Sequence, residues 1–123
     1  MDRLVFLVDD TDSVLALGAS ILEEDFRILT MSSADKMFSI LEKKQPDMII
    51  LDIEMPEING FEACAKLKEN PEWSKIPVLF LTGYIDDAIE SRIAELGAIG
   101  VMNKSDIATG LLDRVKRSFD PLT

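Results

Sequence analysis

The sequence predicts a single α/β domain: a doubly wound, five-stranded parallel sheet of order 2-1-3-4-5 with helices on both faces. Five short apolar runs each give way to polar residues, and each is followed by a segment of helical period. Strands alternating with helices in this way fold as a parallel sheet covered on both sides. Right-handed crossovers then leave few orders, of which 2-1-3-4-5 is the common five-stranded one. The 123 residues suit one domain with one core. That domain is expected over residues 1–119, followed by a tail at 120–123, with no room for a second catalytic domain.

The elements follow in order. Residues 3–8 (Arg-Leu-Val-Phe-Leu-Val) form a first buried strand that stops at Asp9-Asp10-Thr11-Asp12. Thr11, Asp12 or Ser13 can cap the next helix, whose inner face carries Val14, Leu15, Gly18, Ile21 and Leu22. Residues 26–30 make a short second strand. Ser33 is a suitable N-cap for a helix with Ala34, Met37, Phe38 and Leu41 inward, and Pro46 marks its end. The third strand, 47–52, is the run Asp-Met-Ile-Ile-Leu-Asp.

Asn59 or Gly60 opens the third helix, with Phe61, Cys64, Ala65 and Lys68 along one side, Leu67 nearby, and Cys64 as a packing residue. Trp73, in the turn-rich loop after it, is expected to cover an edge of the core. The fourth strand is 78–82. Asp86 and Asp87 favour the positive end of a fourth helix, whose apolar line is Ile89, Ile93 and Leu96 and whose end is Gly97. A fifth strand at 98–102 leads to Asn103 and Lys104. Ser105 then caps a last helix with Ile107, Leu111, Val115 and Phe119 inward.

Composition narrows the function. Apolar residues are 47% and charged residues 29% of the chain, the mixture of a soluble globular protein. No apolar run is long enough to span a bilayer, and Asp9, Asp10 and Asp12 interrupt what would otherwise begin a signal peptide. A cytoplasmic protein without a membrane partner is expected. The formal charge of −10 repels phosphate backbones, so direct nucleic-acid binding is not expected. One cysteine allows no internal disulfide, and the absence of histidine removes histidine-based acid–base catalysis and the usual zinc sites.

The predicted sheet order gathers chemistry at one crevice. In open α/β sheets ligands bind outside the carboxyl ends of the strands, at the switch point, which here lies between strands one and three. That places Asp9 and Asp10, Asp52, Thr82 and Lys104 together. Two carboxylates about 5 Å apart repel by roughly 3 kcal/mol at an effective dielectric of about 20, so the cluster calls for a cation or a raised pKa. An all-oxygen donor set suits Mg²⁺ or Mn²⁺. A nucleotide phosphate is disfavoured, because the first loop presents acids where it would need amides of Gly, Ser or Thr. A carboxylate beside a divalent ion, with a Lys and a Thr opposite, has the parts for accepting a phosphoryl group, and Asp is a known phosphoryl nucleophile. Asp52 alone, as a turn former at a strand end, would have a purely structural reading as well.

Asp9-Asp10 after a first strand, Asp52-x-x-Met55-Pro56 with Gly60 after a third, Leu81-Thr82-Gly83, and Gly97-Ala98 leading to Lys104 resemble the receiver domain of two-component response regulators. The resemblance spans nearly the whole chain. It implies the flavodoxin-like, three-layer receiver sandwich, with Asp52 phosphorylated from a phosphohistidine on a histidine kinase or phosphotransfer protein. It further implies a metal held by Asp10, Asp52 and the backbone carbonyl of Glu54, with Asp9 assisting through water. Thr82 and Lys104 would contact the phosphoryl group and relay its presence to a downstream protein at the face of helix four, strand five and helix five; homodimerisation is a separate expectation, without an assigned surface. Such a chain catalyses only its own phosphorylation and slow dephosphorylation.

Two positions depart from that family's pattern. Ser105 stands where Pro usually follows the Lys, often after a cis peptide. A cis bond before a non-proline residue costs about 3 kcal/mol or more, so the peptide is either strained, or trans with a different approach of Lys104. Val101 stands where an aromatic switch residue often lies, so no ring can swing inward behind Thr82. The signal would then leave through Thr82, Val101 and Ser105 by movement of the loops after Thr82 and Lys104. Glu54 and Tyr84, each two residues beyond a site residue, either tune water access to the site or are exposed loop residues. Two other functional readings remain: a receiver that binds partners without phosphate, left open by Val101 and Ser105, and an Asp-nucleophile phosphatase using Asp10-Thr11-Asp12, which lacks a substrate-recognising cap.

Overall fold

The computed structural model describes residues 3–120. Five parallel strands, β1 (Leu4–Val8), β2 (Arg27–Met31), β3 (Met48–Asp52), β4 (Val78–Thr82) and β5 (Gly100–Asn103), alternate with helices α1 (Asp12–Leu22), α2 (Ala34–Leu41), α3 (Gly60–Glu69), α4 (Asp87–Leu96) and α5 (Ile107–Phe119). The sheet order is β2-β1-β3-β4-β5, as expected. Of the tail expected at 120–123, all but Asp120 lies outside the described residues.

The period of two along each strand sorts the core into two layers. Leu4, Phe6 and Val8 of β1, Ile49 and Leu51 of β3, and Val78 and Phe80 of β4 face α2, α3 and α4, where Met37, Leu41, Ala63, Cys64, Leu67 and Ile93 meet them. Val5, Leu7, Met48, Ile50, Leu79 and Leu81 face the other way, onto Leu22 of α1 and Ile107, Leu111 and Val115 of α5. β1, β3 and β4 are buried along their whole length, which is why they read as unbroken apolar runs and not as alternating ones. Cys64 is fully buried and unpaired, and burial raises its thiol pKa, in keeping with a packing role. Trp73 lies against the core beside Phe38, with ring centroids 5.7 Å apart.

Several boundaries differ from those expected, each for a local reason. The amide of Phe26 closes the end of α1 on Leu22 O at 3.0 Å, so β2 starts one residue later. Ala98 N donates to Ile93 O at 3.3 Å and belongs to the end of α4, where Gly97 takes φ 74°, so β5 starts at Gly100. The buried face of α3 is Gly60, Ala63, Cys64 and Leu67. Ala65 and Lys68 are only half-buried. A capping box of Asn59 and Glu62 starts that helix.

Two expected caps are not made. Thr11 occupies the N-cap position of α1 but its side chain makes no cap bond; its amide is instead tied to Asp9. Ser105 does not cap α5. It lies inside a 3₁₀ turn, Lys104–Asp106, whose cap is Asn103: the Asn103 side-chain oxygen accepts the Ser105 amide at 2.9 Å. Among the described residues no peptide bond is cis, so the Lys104–Ser105 bond is trans. No helix among the described residues is long and apolar enough to cross a membrane.

Candidate functional site

The carboxyl ends of β1, β3 and β4 bring three polar side chains into full burial: Asp9, Asp52 and Thr82. Each is delivered by its strand. Asp52 is the last residue of β3, paired in register with Leu81 of β4, and Thr82 is the last of β4, opposite Asn103 of β5. Asp9 follows β1 directly, its amide extending the ladder to Met31 O at 3.1 Å. Lys104 enters from the turn after β5, its side chain 23% exposed.

The Lys104 ammonium bridges two acids, 3.1 Å from Asp9 Oδ2 and 3.1 Å from Asp52 Oδ1. The remaining bonds are to backbone: Asp9 Oδ1 accepts the Thr11 amide at 2.9 Å and Asp52 Oδ1 the Glu54 amide at 3.1 Å. Asp52 Oδ2 is left without any hydrogen-bond partner although it is buried. A buried acceptor with no partner is costly, and such an atom calls for an explanation. Asp10 is exposed at the rim, and Asp9, Asp10 and Asp52 each offer a carboxylate oxygen within 4.8 Å of the others.

Charge follows from this packing. Burial first, and the Asp9 charge second, push the Asp52 carboxyl up to about 7, against the opposing pull of Lys104 and the Glu54 amide. Burial disfavours the charged ammonium of Lys104, but its hydrogen bonds and charge contacts with Asp9 and Asp52 outweigh this and raise it above its ordinary value. Two buried acids thus share one cation, and the pocket carries an excess of negative demand.

Of the residues singled out from sequence, Asp9, Asp10, Asp52 and Lys104 meet directly. Thr82 joins them through Glu54: its hydroxyl donates to Glu54 Oε1 at 3.3 Å. Tyr84 stands 59% exposed on the loop after β4. Val101 is half-buried in β5, opposite Phe80 and packed against the α2–α3–α4 side of the core. Ser105 is exposed. Sequence reasoning missed Asn103, which joins two loops: its oxygen holds the Lys104 turn through Ser105 N, and its amide donates to Gly83 O at 3.4 Å. Its signal in the sequence is a turn-forming amide side chain directly after the expected fifth strand and two residues before Ser105.

The family model of the response regulator receiver domain matches residues 5–116. The chain belongs to that family.

This receiver is thereby a signalling domain of the two-component type, from a family whose members interact with histidine kinases or phosphotransfer proteins. It is 29% identical over 116 residues to protein RcaC of Microchaete diplosiphon, across 94% of this chain and 18% of RcaC. The chain spans less than half the length of several curated relatives it matches, between 18% and 43%. Among solved structures, a response regulator from Desulfuromonas acetoxidans is 31% identical with a TM-score of 0.85, covering 98% of this receiver and 99% of that chain. The BeF₃-activated receiver domain of DrrB, from Thermotoga maritima, is 26% identical with a TM-score of 0.86, covering 98% and 99% respectively.

Proposed function

We propose that this receiver is a phosphorylation-controlled switch in which Asp52 accepts a phosphoryl group from a phosphohistidine donor. The observation that carries the reading is Asp52 Oδ2, a buried carboxylate oxygen with no partner, beside a lysine ammonium that already holds the other oxygen at 3.1 Å. Asp52 Oδ2 attacks the phosphorus, the O–P bond forms as the N–P bond breaks, and the imidazole nitrogen keeps the electron pair. Lys104 offsets charge on the transferring oxygens, and the Thr82 hydroxyl donates to one of them. Slow hydrolysis of the acyl phosphate by water resets the switch.

The donor set fits Mg²⁺, with Mn²⁺ as the alternative. It is all oxygen, the carboxylates of Asp9, Asp10 and Asp52 lie within reach of one another, and two buried carboxylate oxygens, Asp9 Oδ2 and Asp52 Oδ2, have no hydrogen-bond partner, the first of them ion-paired with Lys104. Asp10, Asp52 and the backbone carbonyl of Glu54 would hold the ion. Asp9 would act through water, since its two oxygens are engaged by Thr11 N and Lys104. When bound, the cation neutralises charge shared between the carboxylates and the phosphoryl oxygens.

The phosphoryl donor is a histidine kinase or phosphotransfer protein, and the face formed by α4, β5 and α5 engages a downstream protein or a second copy of the chain. Val101 supplies no ring behind Thr82, so the signal travels through the loops after Thr82 and Lys104, which Asn103 joins. Incubation with Mg²⁺ and acetyl phosphate tests the reading: one phosphoryl group appears on Asp52 and none on the Asp52→Asn variant. Labelling that persists in the variant would overturn it.

A further inference from the structure

We propose that Glu54 is an autoinhibitory latch on Thr82: in the unmodified receiver its carboxylate holds the one proton that Thr82 can donate, and the phosphorylated state must take it away. The inference rests on the phosphoryl site proposed above and concerns the regulation of that site.

The backbone fixes the pair. The β3–β4 ladder runs one step past Asp52, with Ile53 N donating to Leu81 O at 3.0 Å. Glu54 therefore leaves the sheet alongside Thr82. Its amide is pinned to Asp52 Oδ1 at 3.1 Å, and from that anchor its Oε1 accepts the Thr82 hydroxyl at 3.3 Å. The two residues are 28 apart in the chain, so the contact is a product of the fold and not of a local turn.

A threonine hydroxyl has a single proton to donate. Thr82 is fully buried and cannot serve Glu54 and a phosphoryl oxygen on Asp52 at once. Glu54 is exposed, so water replaces Thr82 as its partner when it lets go. Opening is therefore cheap on the Glu54 side. A phosphoryl group on Asp52 carries nearly two negative charges and repels the Glu54 carboxylate, which drives the same exchange. A contact present in the unmodified state and absent from the modified one opposes the shift by its own worth. At 3.3 Å this hydrogen bond is longer than most between hydroxyl and carboxylate, so the latch is weak and the expected effect modest.

The test titrates the full chain with beryllofluoride at fixed Mg²⁺, as a phosphoryl mimic, and compares wild type, Glu54→Ala, Glu54→Gln, Thr82→Val and the double variant Glu54→Ala with Thr82→Val. Glu54→Ala is expected to bind the mimic about threefold to tenfold more tightly, with Glu54→Gln between it and wild type. In the Thr82→Val background the Glu54→Ala gain shrinks to the part owed to the removed charge alone, because there is no proton left to compete for. The Thr82 amide resonance of the mimic-free protein also moves in Glu54→Ala. An unchanged or weaker affinity in Glu54→Ala overturns the latch. So does an equal gain in the Thr82→Val background, which would make Glu54 a general source of repulsion. Failure of the wild type to bind the mimic at all would instead sink the phosphoryl site itself. Thr82→Ala replaces Thr82→Val if the latter does not fold.

Discussion

Gly60 packs against the main chain of Asp52 with no space for a side chain between them. A Cβ at Gly60 would fall inside the van der Waals shell of the Asp52 carbonyl oxygen and 2.8 Å from Ile53 Cα. The Gly60 amide donates to Ile53 O at 2.8 Å, so the first turn of α3 is fastened to the end of β3 and sets how Asp52 enters the pocket.

In most exposed helix positions Gly→Ala stabilises. Here the obstacle is backbone, which no rotamer change relieves, and the sign reverses. Gly60→Ala is expected to lose about 2 kcal/mol in urea unfolding and to weaken Mg²⁺ binding as Asp52 is displaced. A variant with wild-type stability would show that the Pro56–Asn59 loop gives way instead.

The acid pair predicts a pH dependence. The Asp52 carboxyl is raised in the folded state to about 7 from 3.8. The folded protein therefore binds this proton more tightly than the unfolded chain does. The stabilisation is fully present below about pH 4 and is lost as pH rises through 7. Without metal, the melting temperature should fall between pH 5 and pH 8 on account of this group, with a ceiling of about 4 kcal/mol. Asp52→Asn removes the acid, flattens that slope, raises the melting temperature at pH 8 and weakens Mg²⁺ binding. A slope that persists in the variant would place its origin elsewhere.

The sheet order and the meeting of Asp9, Asp10, Asp52 and Lys104 were legible because both follow from one-dimensional patterns: apolar runs that stop at polar residues, and a crossover rule that leaves few topologies. The helix caps were less legible. Thr11 and Ser105 are as suited to capping as Asn59 or Asp86, but each sits in a local turn closed by the side chain two residues before it: Asp9 takes the Thr11 amide, and Asn103 holds the Ser105 amide. The bond from Thr82 to Glu54 joins positions 28 residues apart and has no local signature at all. It depends on the β3–β4 register, which sequence pattern does not specify to a single residue.

The loop between β3 and α3 stores strain at Glu57, which adopts φ 68°. A side chain in the left-handed region costs roughly 1 kcal/mol, whereas glycine takes that conformation freely. Glu57→Gly is expected to gain up to about 0.5 kcal/mol of stability by denaturant titration, the loss of backbone entropy in glycine offsetting much of the relief. Mg²⁺ affinity should be unchanged. A loss of stability would mean that the exposed Glu57 side chain makes a contact worth more than the strain.

Lys104→Met tests the charge sharing most directly. Methionine keeps the length and apolar stem but removes the ammonium that touches Asp9 Oδ2 and Asp52 Oδ1 at 3.1 Å each. Asp9 retains only the Thr11 amide and Asp52 only the Glu54 amide, and the two buried acids then repel without compensation. Breaking a buried pair from one side commonly costs 3–5 kcal/mol, and the partial exposure of Lys104 reduces this to about 2 kcal/mol at pH 8. The loss should shrink at pH 5.5, where Asp52 is protonated and little repulsion remains. It should also shrink in the double variant with Asp52→Asn, because one acid is already gone. Mg²⁺ at saturating concentration should raise the melting temperature of Lys104→Met by more than that of wild type if the ion-binding acids are left intact. Equal losses at pH 5.5 and pH 8 would mean that Lys104 contributes through packing of its stem and not through its charge.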